Sequence, residues 1–358
     1  MRRKRDRGIQ GTTERIDRMK ILVTGGAGFI GSNFILYMLN KYRDYDIVNL
    51  DKLTYAGNPE NLENAMNNKH YTFVKGDIAD AGLVRGIMDK GIDAVVNFAA
   101  ESHVDRSILE PASFIKTNIL GTQVLLDIAR EKHIARFVQI STDEVYGSLG
   151  STGRFTETTP VQPNSPYSAS KASADMVVLA YYRTFGMPVV ITRTSNNYGP
   201  YQFPEKLLPL AITNIMEEKP VPIYGDGMYV RDWIFVTDNA EAIDMVLHSG
   251  KDGEVYNIGA GYESANLSLI KTVLRLMHKP ESFITHVKDR PGHDRRYAMD
   301  PSKIMNELGW SPRTSIEHGL ELTIDWYTAN RKWWQRIKSG EYMTYYEKNY
   351  SVKGLRTH

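Results

Sequence analysis

The sequence predicts an α/β fold in which a parallel sheet is covered by helices on both faces. Between Met19 and about Pro200, short apolar runs alternate with longer amphipathic stretches, as strands and helices do in such folds. A glycine-rich turn separates the first apolar run from the first amphipathic stretch. The chain has 358 residues, and at roughly 150 residues per domain this length suggests about two domains.

The elements of this alternation can be placed in order along the chain. The stretch KILVTGGAGFIGSNFILYMLN combines a strand, the glycine turn and a helix. Further strands are predicted in YDIVNLDKL, YTFVKGDIAD, DAVVNFAAES, RFVQIST and PVVITRTSNNYGP. Further helices are predicted in LVRGIMDKGI, PASFIKTNILGTQVLLDIAREKH and SPYSASKASADMVVLAYYRTFG.

Beyond Pro200 the predicted strands and helices no longer alternate regularly. The segments YVRDWIFVTDNAEAIDMVLHSG and GEVYNIGAG are interpreted as a return to the sheet. The rest mixes helices with a loop-rich segment, KDRPGHDRRYAMDPSK, and a C-terminal aromatic cluster that we interpret as packing surface. This pattern predicts a smaller second domain that is interleaved with the first.

Composition excludes several classes of protein. The chain has no cysteine, which excludes disulfides and thiolate chemistry and fits a reducing cytoplasm. It also lacks the roughly 18 consecutive uncharged apolar residues that a membrane helix needs. We therefore expect a cytoplasmic protein without a membrane partner.

The first 18 residues, MRRKRDRGIQGTTERIDR, hold seven basic and three acidic residues. A nucleic-acid arm or targeting segment is one interpretation, but no apolar core follows, and a disordered basic leader is the interpretation we favour. Without this leader the net charge changes from +2 to −2. The remaining chain therefore has no basic excess that would indicate nucleic-acid binding.

The glycine turn indicates dinucleotide binding. Gly26, Gly28 and Gly31 fit the G-x-G-x-x-G pattern, which Gly25 extends, and this pattern allows a pyrophosphate to approach the start of a helix. Asp51 ends the second strand, 20 residues after Gly31. A carboxylate at that place accepts hydrogen bonds from a ribose diol and repels a 2′-phosphate, which favours NAD over NADP.

Two further strand ends belong to the same predicted cofactor site. Asp77 and Ile78 follow the third strand, where an acid can bond the adenine edge or simply be solvated. The small pair Ala99 and Ala100 follows the fourth strand and lets a cofactor lie close.

Tyr167 and Lys171 lie four residues apart in YSASK, so on a helix they share one face. A phenol is a poor base because its pKa is near 10. A nearby ammonium favours the phenolate, which can then take a proton from a substrate hydroxyl. A tyrosine and a lysine four residues apart are common in proteins. Together with the glycine turn and Asp51, however, this spacing is a strong indication of a catalytic pair.

Asp143 and Glu144 follow the apolar strand RFVQIST directly. Two adjacent carboxylates at the end of a buried strand are costly to desolvate and repel each other. They are either a solvated pair at a strand end or an acid and a base in a pocket.

The glycine turn, AAESHVDRS, YSASK and NNYGP resemble the extended short-chain dehydrogenases/reductases that act on nucleotide sugars. The resemblance extends from about Met19 to about Trp326. It implies a Rossmann-type doubly wound parallel sheet with a smaller, interleaved C-terminal α/β substrate-binding domain. The NAD-binding domain would span 19–200 plus about 230–262, and the nucleotide-sugar-binding domain 201–229 plus 263–345. The basic leader 1–18 is not part of the family pattern.

Within this family, STDEVYG, RTSNNYGPYQFPEKLLP, GDGMYVRDWIFV and DRPGHDRRYAMD resemble the branch that dehydrates a nucleotide-linked glucose. The implied substrate is dTDP-glucose, and the implied product is dTDP-4-keto-6-deoxyglucose for deoxysugar, commonly rhamnose, synthesis. The resemblance implies that Thr142 bonds the sugar O4, that Glu144 removes the C5 proton and that protonated Asp143 assists loss of the C6 hydroxyl. Two neighbouring carboxyls with separated pKa values suit such a reaction.

The resemblance also implies the remaining contacts, position by position. Additional NAD contacts would be Phe29, Ile30, Lys52, Leu53, Thr54, Ser102, Thr117 and Asn197. Substrate contacts would be His103, Asn196, Lys206, Leu207, Pro222, Ile223, Tyr224, Arg231, Asn266, Asp289, Arg290, Pro291, Gly292 and His293. Arg231 and Arg290 are expected to face the diphosphate, although a solvated loop arginine is the ordinary alternative. Asn266 has the alternative of capping a helix near Ser268, and no metal site is expected.

A homodimer through a four-helix interface is implied as well, formed by the helices of 111–133 and 168–186. Two other functions stay open at this point. A 4-epimerase or a glucuronate decarboxylase of the same superfamily would not need both acids. A non-catalytic NAD-sensing or scaffold protein would need neither the tyrosine–lysine pair nor the acids.

Overall fold

A seven-stranded parallel sheet forms the centre of the computed structural model, which describes residues 18–289 and 293–339. The strand order is β10-β6-β5-β4-β1-β2-β3. These strands are β1 Lys20–Thr24, β2 Asp46–Asp51, β3 Tyr71–Lys75, β4 Ala94–Asn97, β5 Arg136–Thr142, β6 Val189–Thr194 and β10 Val255–Ile258. The predicted doubly wound parallel sheet is confirmed. The predicted leader lies outside the described residues, apart from Arg18.

Helices cover both faces of this sheet. They are α1 Phe29–Lys41, α2 Ala81–Met88, α3 Val104–Leu109, α4 Pro111–Phe114, α5 Thr122–Glu131, α6 Pro166–Phe185, α7 Leu207–Met216, α8 Val236–Ser249, α9 Asn266–Leu276, α10 Ser302–Leu308, α11 Ile316–Ala329 and α12 Arg331–Ile337. Apolar side chains of α1 and α8, such as Phe34 and Ile243, form a core on one face. Those of α2, α5 and α6, such as Ile87 and Leu125, form a core on the other.

The helix predicted over PASFIKTNILGTQVLLDIAREKH has a π-helical middle. Ile115–Gly121 joins α4 to α5 as a π-helix. Short 3-10 helices occur at Pro59–Ala65, Asp143–Tyr146 and Glu281–Phe283. No helix among the described residues combines the length and apolar character needed to cross a membrane.

The strand order reverses between β1 and β4, because β2 and β3 lie to one side of β1 and β4 to β6 to the other. In sheets of this kind, ligands bind in the crevice at the carboxyl ends of the strands next to such a reversal. The glycine turn after β1 and the residues after β4 lie at this point.

Two smaller sheets and a third core complete the described part of the chain. β7 Asn196–Tyr198, β9 Val230–Phe235 and β11 Glu263–Ala265 form one sheet, and β8 Val221–Tyr224 pairs with β12 Ile284–Val287. The C-terminal aromatic residues, including Trp334, pack in the third core with the helices α7, α9, α11 and α12. They therefore serve packing, as the sequence indicates.

The expectation that both later segments rejoin the main sheet is half wrong. Strand β10 does pair with β6, but β9 pairs with β7 and β11 in the smaller sheet. The reason is that both edges of β9 are already paired, one with β7 and the other with β11, which leaves β9 no edge for the main sheet. The assignment of 230–262 to the NAD-binding domain, like the other domain boundaries, stays a prediction.

Candidate active site

A cavity of about 310 Å³ opens at the carboxyl ends of the central strands. Residues that follow β1, β2, β3, β4 and β5 line it, together with the start of α6 and the segment after β6. The structure places most of the predicted site residues on its wall. They are Gly25, Gly28, Phe29, Ile30, Gly31, Asp51, Lys52, Thr54, Asp77, Ile78, Ala99, Ala100, Ser102, Thr117, Thr142, Asp143, Glu144, Tyr167, Lys171, Asn196, Asn197 and Lys206.

The glycine turn is sterically closed to larger residues. Gly25 has a φ of +68°, and a Cβ there would lie 2.6 Å from the Ala99 nitrogen. A Cβ on Gly31 would lie 2.5 Å from the Gly25 oxygen. No side chain caps the start of α1 at Gly28, and the first turn of the helix holds no acid. Its backbone N–H groups therefore suit an anionic ligand such as a pyrophosphate.

Backbone N–H groups of the glycine turn and of the segment after β2 fix the Asp51 carboxylate. Its two carboxylate oxygens accept hydrogen bonds from the Ala27 nitrogen at 2.9 Å and the Leu53 nitrogen at 2.8 Å. Burial raises the pKa of Asp51, and these two hydrogen bonds oppose the rise. Leu53 braces Asp51 through its backbone and does not line the cavity. Lys52 and Asp77 form an ion pair of 2.8 Å between the ends of β2 and β3.

The carboxyl pair follows β5 without a break. Thr142 ends the strand and caps the 3-10 helix Asp143–Tyr146, because its hydroxyl accepts a hydrogen bond from the Glu144 nitrogen. The Thr142 hydroxyl also donates to Asp143 Oδ1 at 3.1 Å. This cap fixes the backbone that carries both acids at one strand end.

Asp143 is 2% exposed. Burial raises the pKa of Asp143 to about 8, the neighbouring Glu144 adds to the rise, and Arg231 opposes it. Asp143 is therefore predominantly protonated at neutral pH. Asp143 Oδ2 accepts no hydrogen bond among the described residues, so its carboxyl retains an oxygen that can serve a ligand in the cavity.

Tyr167 and Lys171 lie in the first half of α6, which begins at Pro166 after a capping box formed by Ser165 and Ser168. Both side chains are buried. The Lys171 ammonium donates to the Ile140 carbonyl at 2.5 Å. Burial lowers the pKa of Lys171 to about 8, while Asp175 opposes the shift.

The expected lowering of the Tyr167 pKa by Lys171 is not present in this structure. Burial raises the pKa of the phenol, and the charges of Glu144 and Asp143 raise it further, while a hydrogen bond with Thr142 opposes them. The physical reason is that the phenol is buried and faces two carboxyls, while the Lys171 ammonium donates to the Ile140 carbonyl. A neutral Asp143 removes one of the two charges that oppose the phenolate.

Several predicted substrate contacts lie away from the cavity wall. His103 is buried, caps α3 through Nδ1 and lies with Nε2 3.4 Å from Glu205 Oε2. Leu207 begins α7, and the predicted contacts Pro222 and Ile223 lie in β8. They border the site without lining the cavity described above.

A second group of predicted substrate contacts forms an aromatic and acidic cluster beyond β8. The His293 ring stacks on Tyr229 with centroids 3.7 Å apart, and its Nδ1 lies 2.8 Å from Asp289 Oδ1. Tyr224 contacts the same histidine edge-on at 6.0 Å. The predicted contacts Arg290, Pro291 and Gly292 lie outside the described residues.

Arg231 and Asn266, two further predicted substrate contacts, are both largely enclosed by the protein but differ in their hydrogen bonds. Arg231 is buried in β9 and donates to the carbonyls of Val230 and Asp294 at 2.8 and 2.9 Å. Asn266 begins α9, but no side chain caps that helix, and its Oδ1 is buried with no hydrogen bond among the described residues. The capping alternative for Asn266 is therefore wrong, and its amide oxygen remains available to a ligand.

Sequence reasoning missed several wall residues, of which Glu205 is the most distinctive. Glu205 is 6% exposed, and burial raises the pKa of Glu205 to about 7, with Lys206 and Arg106 opposing the rise. Tyr55 and Phe203 flank it, with their rings edge-to-face at 5.7 Å. The sequence feature that could have indicated Glu205 is the adjacent acidic and basic residues, Glu205 and Lys206, within the largely apolar segment YQFPEKLLP. Among the described residues no group of three or more acids and histidines could hold a metal.

Comparison with known proteins places the chain among nucleotide-sugar enzymes. The family model described as GDP-mannose 4,6 dehydratase matches residues 22–323. A dTDP-glucose 4,6-dehydratase of Xanthomonas campestris pv. campestris (strain B100) is 52% identical over 340 residues, covering 90% of this chain and 96% of the relative.

Two solved structures share the fold over nearly the same extent. The dTDP-glucose 4,6-dehydratase of Bacillus anthracis, in complex with NAD, is 51% identical with a TM-score of 0.85 and covers 89% of this chain and 100% of its own. DesIV of Streptomyces venezuelae, a dTDP-glucose 4,6-dehydratase with NAD and TYD bound, is 49% identical with a TM-score of 0.87 and the same coverage.

Proposed function

Since the chain belongs to the GDP-mannose 4,6 dehydratase family, and to the dTDP-glucose 4,6-dehydratases within it, we propose that it converts dTDP-glucose to dTDP-4-keto-6-deoxyglucose and water. The activity is that of an NAD-dependent hydro-lyase. The product would feed the synthesis of a dTDP-linked deoxysugar, with rhamnose as the first candidate, in the cytoplasm.

The observation that carries the proposal is the environment of the two acids. Asp143 and Glu144 both line the cavity that Tyr167 lines. One of them is fully buried with its pKa raised to about 8, so the pair supplies a protonated acid and a potential base at one place. An epimerase needs only the tyrosine, whereas the elimination of water across C5 and C6 needs both.

The residues around the glycine turn fit NAD. The uncapped start of α1 suits the pyrophosphate, and the carboxylate of Asp51 suits the ribose diol. Ile78, Ala99 and Thr117 would complete the adenosine and nicotinamide contacts. When bound, NAD supplies the hydride acceptor for C4 and the hydride donor for C6.

The side chains then divide the proton transfers among them. Tyr167 takes the proton of the O4 hydroxyl as C4 is oxidised, and Thr142 orients that oxygen. The resulting ketone acidifies the C5 proton, which Glu144 removes. Asp143 gives its proton to the departing C6 hydroxyl, so water leaves and one proton remains on Glu144. That proton returns to C5 when C6 is reduced, and the proton that Tyr167 took from O4 restores the Asp143 carboxyl before the next turnover.

The nucleotide end of the substrate is assigned to the second group of residues. Asn196 and Lys206 lie on the cavity wall, and we place the diphosphate between them and Arg231. Asn266 offers its amide oxygen, and we place the thymidine beside Tyr224, next to the stack of His293 on Tyr229. These roles extend the sequence prediction and rest on the positions of the side chains.

The same helices that carry the active site would form a homodimer. Ile115 and Leu120 on the π-helix, and Met176, Tyr182 and Phe185 on α6, are exposed apolar side chains. The π-helix and α6 contact each other, and exposed apolar side chains grouped on neighbouring helices are typical of a subunit interface. Two copies pairing these helices around a two-fold axis would bury these side chains in a four-helix arrangement.

A substrate panel tests the proposal. The purified protein is incubated with dTDP-, UDP-, CDP- and GDP-glucose and with UDP-glucuronate, and the 4-keto product is followed by its absorbance in alkali. We expect the keto sugar from dTDP-glucose. Formation of UDP-galactose from UDP-glucose, or of UDP-xylose from UDP-glucuronate, without keto sugar would overturn the proposal in favour of an epimerase or a decarboxylase. Absence of any product would favour a non-catalytic NAD-binding protein.

A further inference from the structure

A buried carboxylate behind the tyrosine and lysine has no task in the mechanism above. Asp175 follows Lys171 by four residues on α6, so the two side chains share one face of the helix. Its side chain is 1% exposed, and that of its partner Arg193 on β6 is 5% exposed. Burying two charged groups is costly even when they are paired, so the pair requires an explanation.

The contacts of Asp175 connect α6 to the strand that carries the acids. Asp175 Oδ2 accepts a hydrogen bond from Arg193 Nε at 2.9 Å and another from Ser141 Oγ at 3.0 Å. Ser141 and Arg193 are direct partners in the register of β5 and β6. Oδ1 accepts no hydrogen bond among the described residues. The carboxylate is therefore fixed in orientation by one oxygen only.

Lys171 lies against the same short piece of β5. Its ammonium contacts the carbonyl of Ile140, the residue before Ser141. The buried region thus holds two basic groups, Lys171 and Arg193, and one carboxyl, Asp175. Burial raises the pKa of Asp175, and the charges of Arg193 and Lys171 oppose the rise and favour the carboxylate. A guanidinium does not lose its proton in proteins, so Lys171 is the cation whose charge depends on the anion.

Other titratable groups face this region from neighbouring elements. Tyr167 lies one turn before Lys171 on α6, and Asp143, Glu144 and Tyr146 lie on the 3-10 helix after β5. The charges of Asp143 and Glu144 act on Tyr167, and the Arg193 guanidinium lies 4.8 Å from the centre of the Tyr146 ring. Asp175 is the group whose charge supports the protonated form of Lys171.

We propose that Asp175 is a positioning residue that keeps Lys171 charged in its buried site, and that Arg193 limits this effect by sharing the carboxylate. The inference rests on the proposed function, because Lys171 lines the same cavity as Tyr167, the group that takes the O4 proton. The proposal predicts that Lys171 loses its proton more easily when the Asp175 carboxylate is removed and less easily when the Arg193 guanidinium is removed. If Asp175 and Arg193 served packing alone, the two changes would not act on Lys171 in opposite directions.

The test is a direct titration of Lys171. The intact protein is labelled with ¹³C-lysine, the Lys171 signal is assigned with the K171M variant, and its chemical shift is followed against pH. The wild-type midpoint is expected at about 8. The D175N variant should lower the midpoint by about one pH unit or more, as the loss of a nearby opposite charge does. The R193Q variant should raise it, and D175E should leave it close to the wild-type value.

A matched control separates electrostatics from stability. Asp244 is equally buried, with a side chain 1% exposed, and pairs with Lys41 on the far side of the sheet. D244N should lower the melting temperature without moving the Lys171 midpoint. An unchanged midpoint in D175N, or shifts of D175N and R193Q in the same direction, would overturn the proposal. Should D175N fail to fold, R193Q and D175E still decide the question.

A second measurement connects the titration to the reaction. In an E144Q background, only oxidation at C4 is followed, which does not use Asp143 as an acid. The pH at which this step is lost should move with the Lys171 midpoint in D175N and R193Q. The titration requires no substrate, so it can succeed or fail independently of the substrate panel that tests the proposed function.

Discussion

At the scale of single residues, burial separates two carboxyls that are neighbours in the chain. Asp143 is 2% exposed, while Glu144 is half-buried on the cavity wall. Desolvation disfavours the charged form of a carboxyl, and a like charge beside it adds to the effect. Asp143 therefore provides a proton donor at neutral pH, next to a second carboxyl that lines the same cavity.

The first residue-scale prediction concerns Glu144. The E144Q variant should still oxidise C4, since Tyr167 remains, but it should not remove the C5 proton. We expect NADH absorbance to accumulate on the enzyme without keto-deoxysugar, and C5 deuterium to be retained in a labelled substrate. Y167F is the contrasting variant and should form no NADH at all. Normal turnover of E144Q would show that the base is another residue.

The second residue-scale prediction concerns the protonated acid. The D143N variant should lose about 10²–10⁴-fold in the rate of product formation at pH 7, the usual size of an acid–base contribution. In the wild type the rate should fall as the pH rises above about 8, where Asp143 loses its proton. A rate of D143N equal to that of the wild type at pH 7 would contradict the assignment.

A stability measurement checks the same carboxyl without substrate. The pKa of Asp143 is raised from 3.8 to about 8 in the folded protein, so its contribution to stability is fully present below about pH 4 and is lost as the pH rises through 8. Asparagine carries no charge at any pH. The melting temperature of D143N relative to the wild type should therefore increase between pH 4 and 8, and a constant difference would argue against a buried, titrating acid.

At the scale of elements, the glycine turn before α1 has no room for a side chain at Gly31 but has room for a methyl group at Gly28. A Cβ on Gly31 would overlap the Gly25 oxygen at 2.5 Å and the Gly26 Cα at 2.8 Å. A Cβ on Gly28 would meet only the Gly25 oxygen at 3.3 Å. Gly31 is therefore required for packing within the turn, whereas Gly28 leaves space for a ligand to approach the turn.

This difference gives the element-scale prediction. G31A should lower both the melting temperature and NAD affinity, because the turn must shift away from the new methyl group. G28A should retain the melting temperature and lose NAD affinity, since its methyl group would stand where the pyrophosphate approaches. The two properties are measured by thermal unfolding and by calorimetric titration with NAD. Equal loss of melting temperature in both variants would show that the glycines do not differ in this way.

At the scale of the whole molecule, the apolar side chains on the π-helix and on α6 predict assembly. Met176 is 58% exposed in the single chain, although it lies on a helix whose opposite face carries Tyr167 and Lys171. Covering this surface with a second copy would remove apolar area from water and brace the active-site helix.

The whole-molecule prediction is that the protein is a dimer and that M176E converts it into a monomer, because a charge would be buried in the proposed interface. The molar mass is measured by light scattering after size-exclusion chromatography. The matched control is M305E on α10, where Met305 is also exposed at 41% and lies outside the proposed interface. A mass unchanged by M176E, or equally changed by M305E, would place the interface elsewhere.

The sequence by itself determined the alternation of strands and helices, the glycine turn with Asp51 behind it, and the shared face of Tyr167 and Lys171. Each of these follows from short-range rules, namely the period of side chains along an element and the steric demands of a turn. The resemblance to a family added the roles of Thr142, Asp143 and Glu144, and the comparisons confirm the family.

Only the tertiary structure decided which strands of the second half join the main sheet, and it moved β9 to a separate sheet. It also decided that Asp143 is buried deeply enough to hold a proton, that Lys171 is engaged by the Ile140 carbonyl and that Glu205 reaches the cavity wall. These properties depend on burial and on contacts between residues distant in the chain. Local patterns in a sequence do not specify them, because the desolvation and the neighbouring charges arise only when the chain is folded.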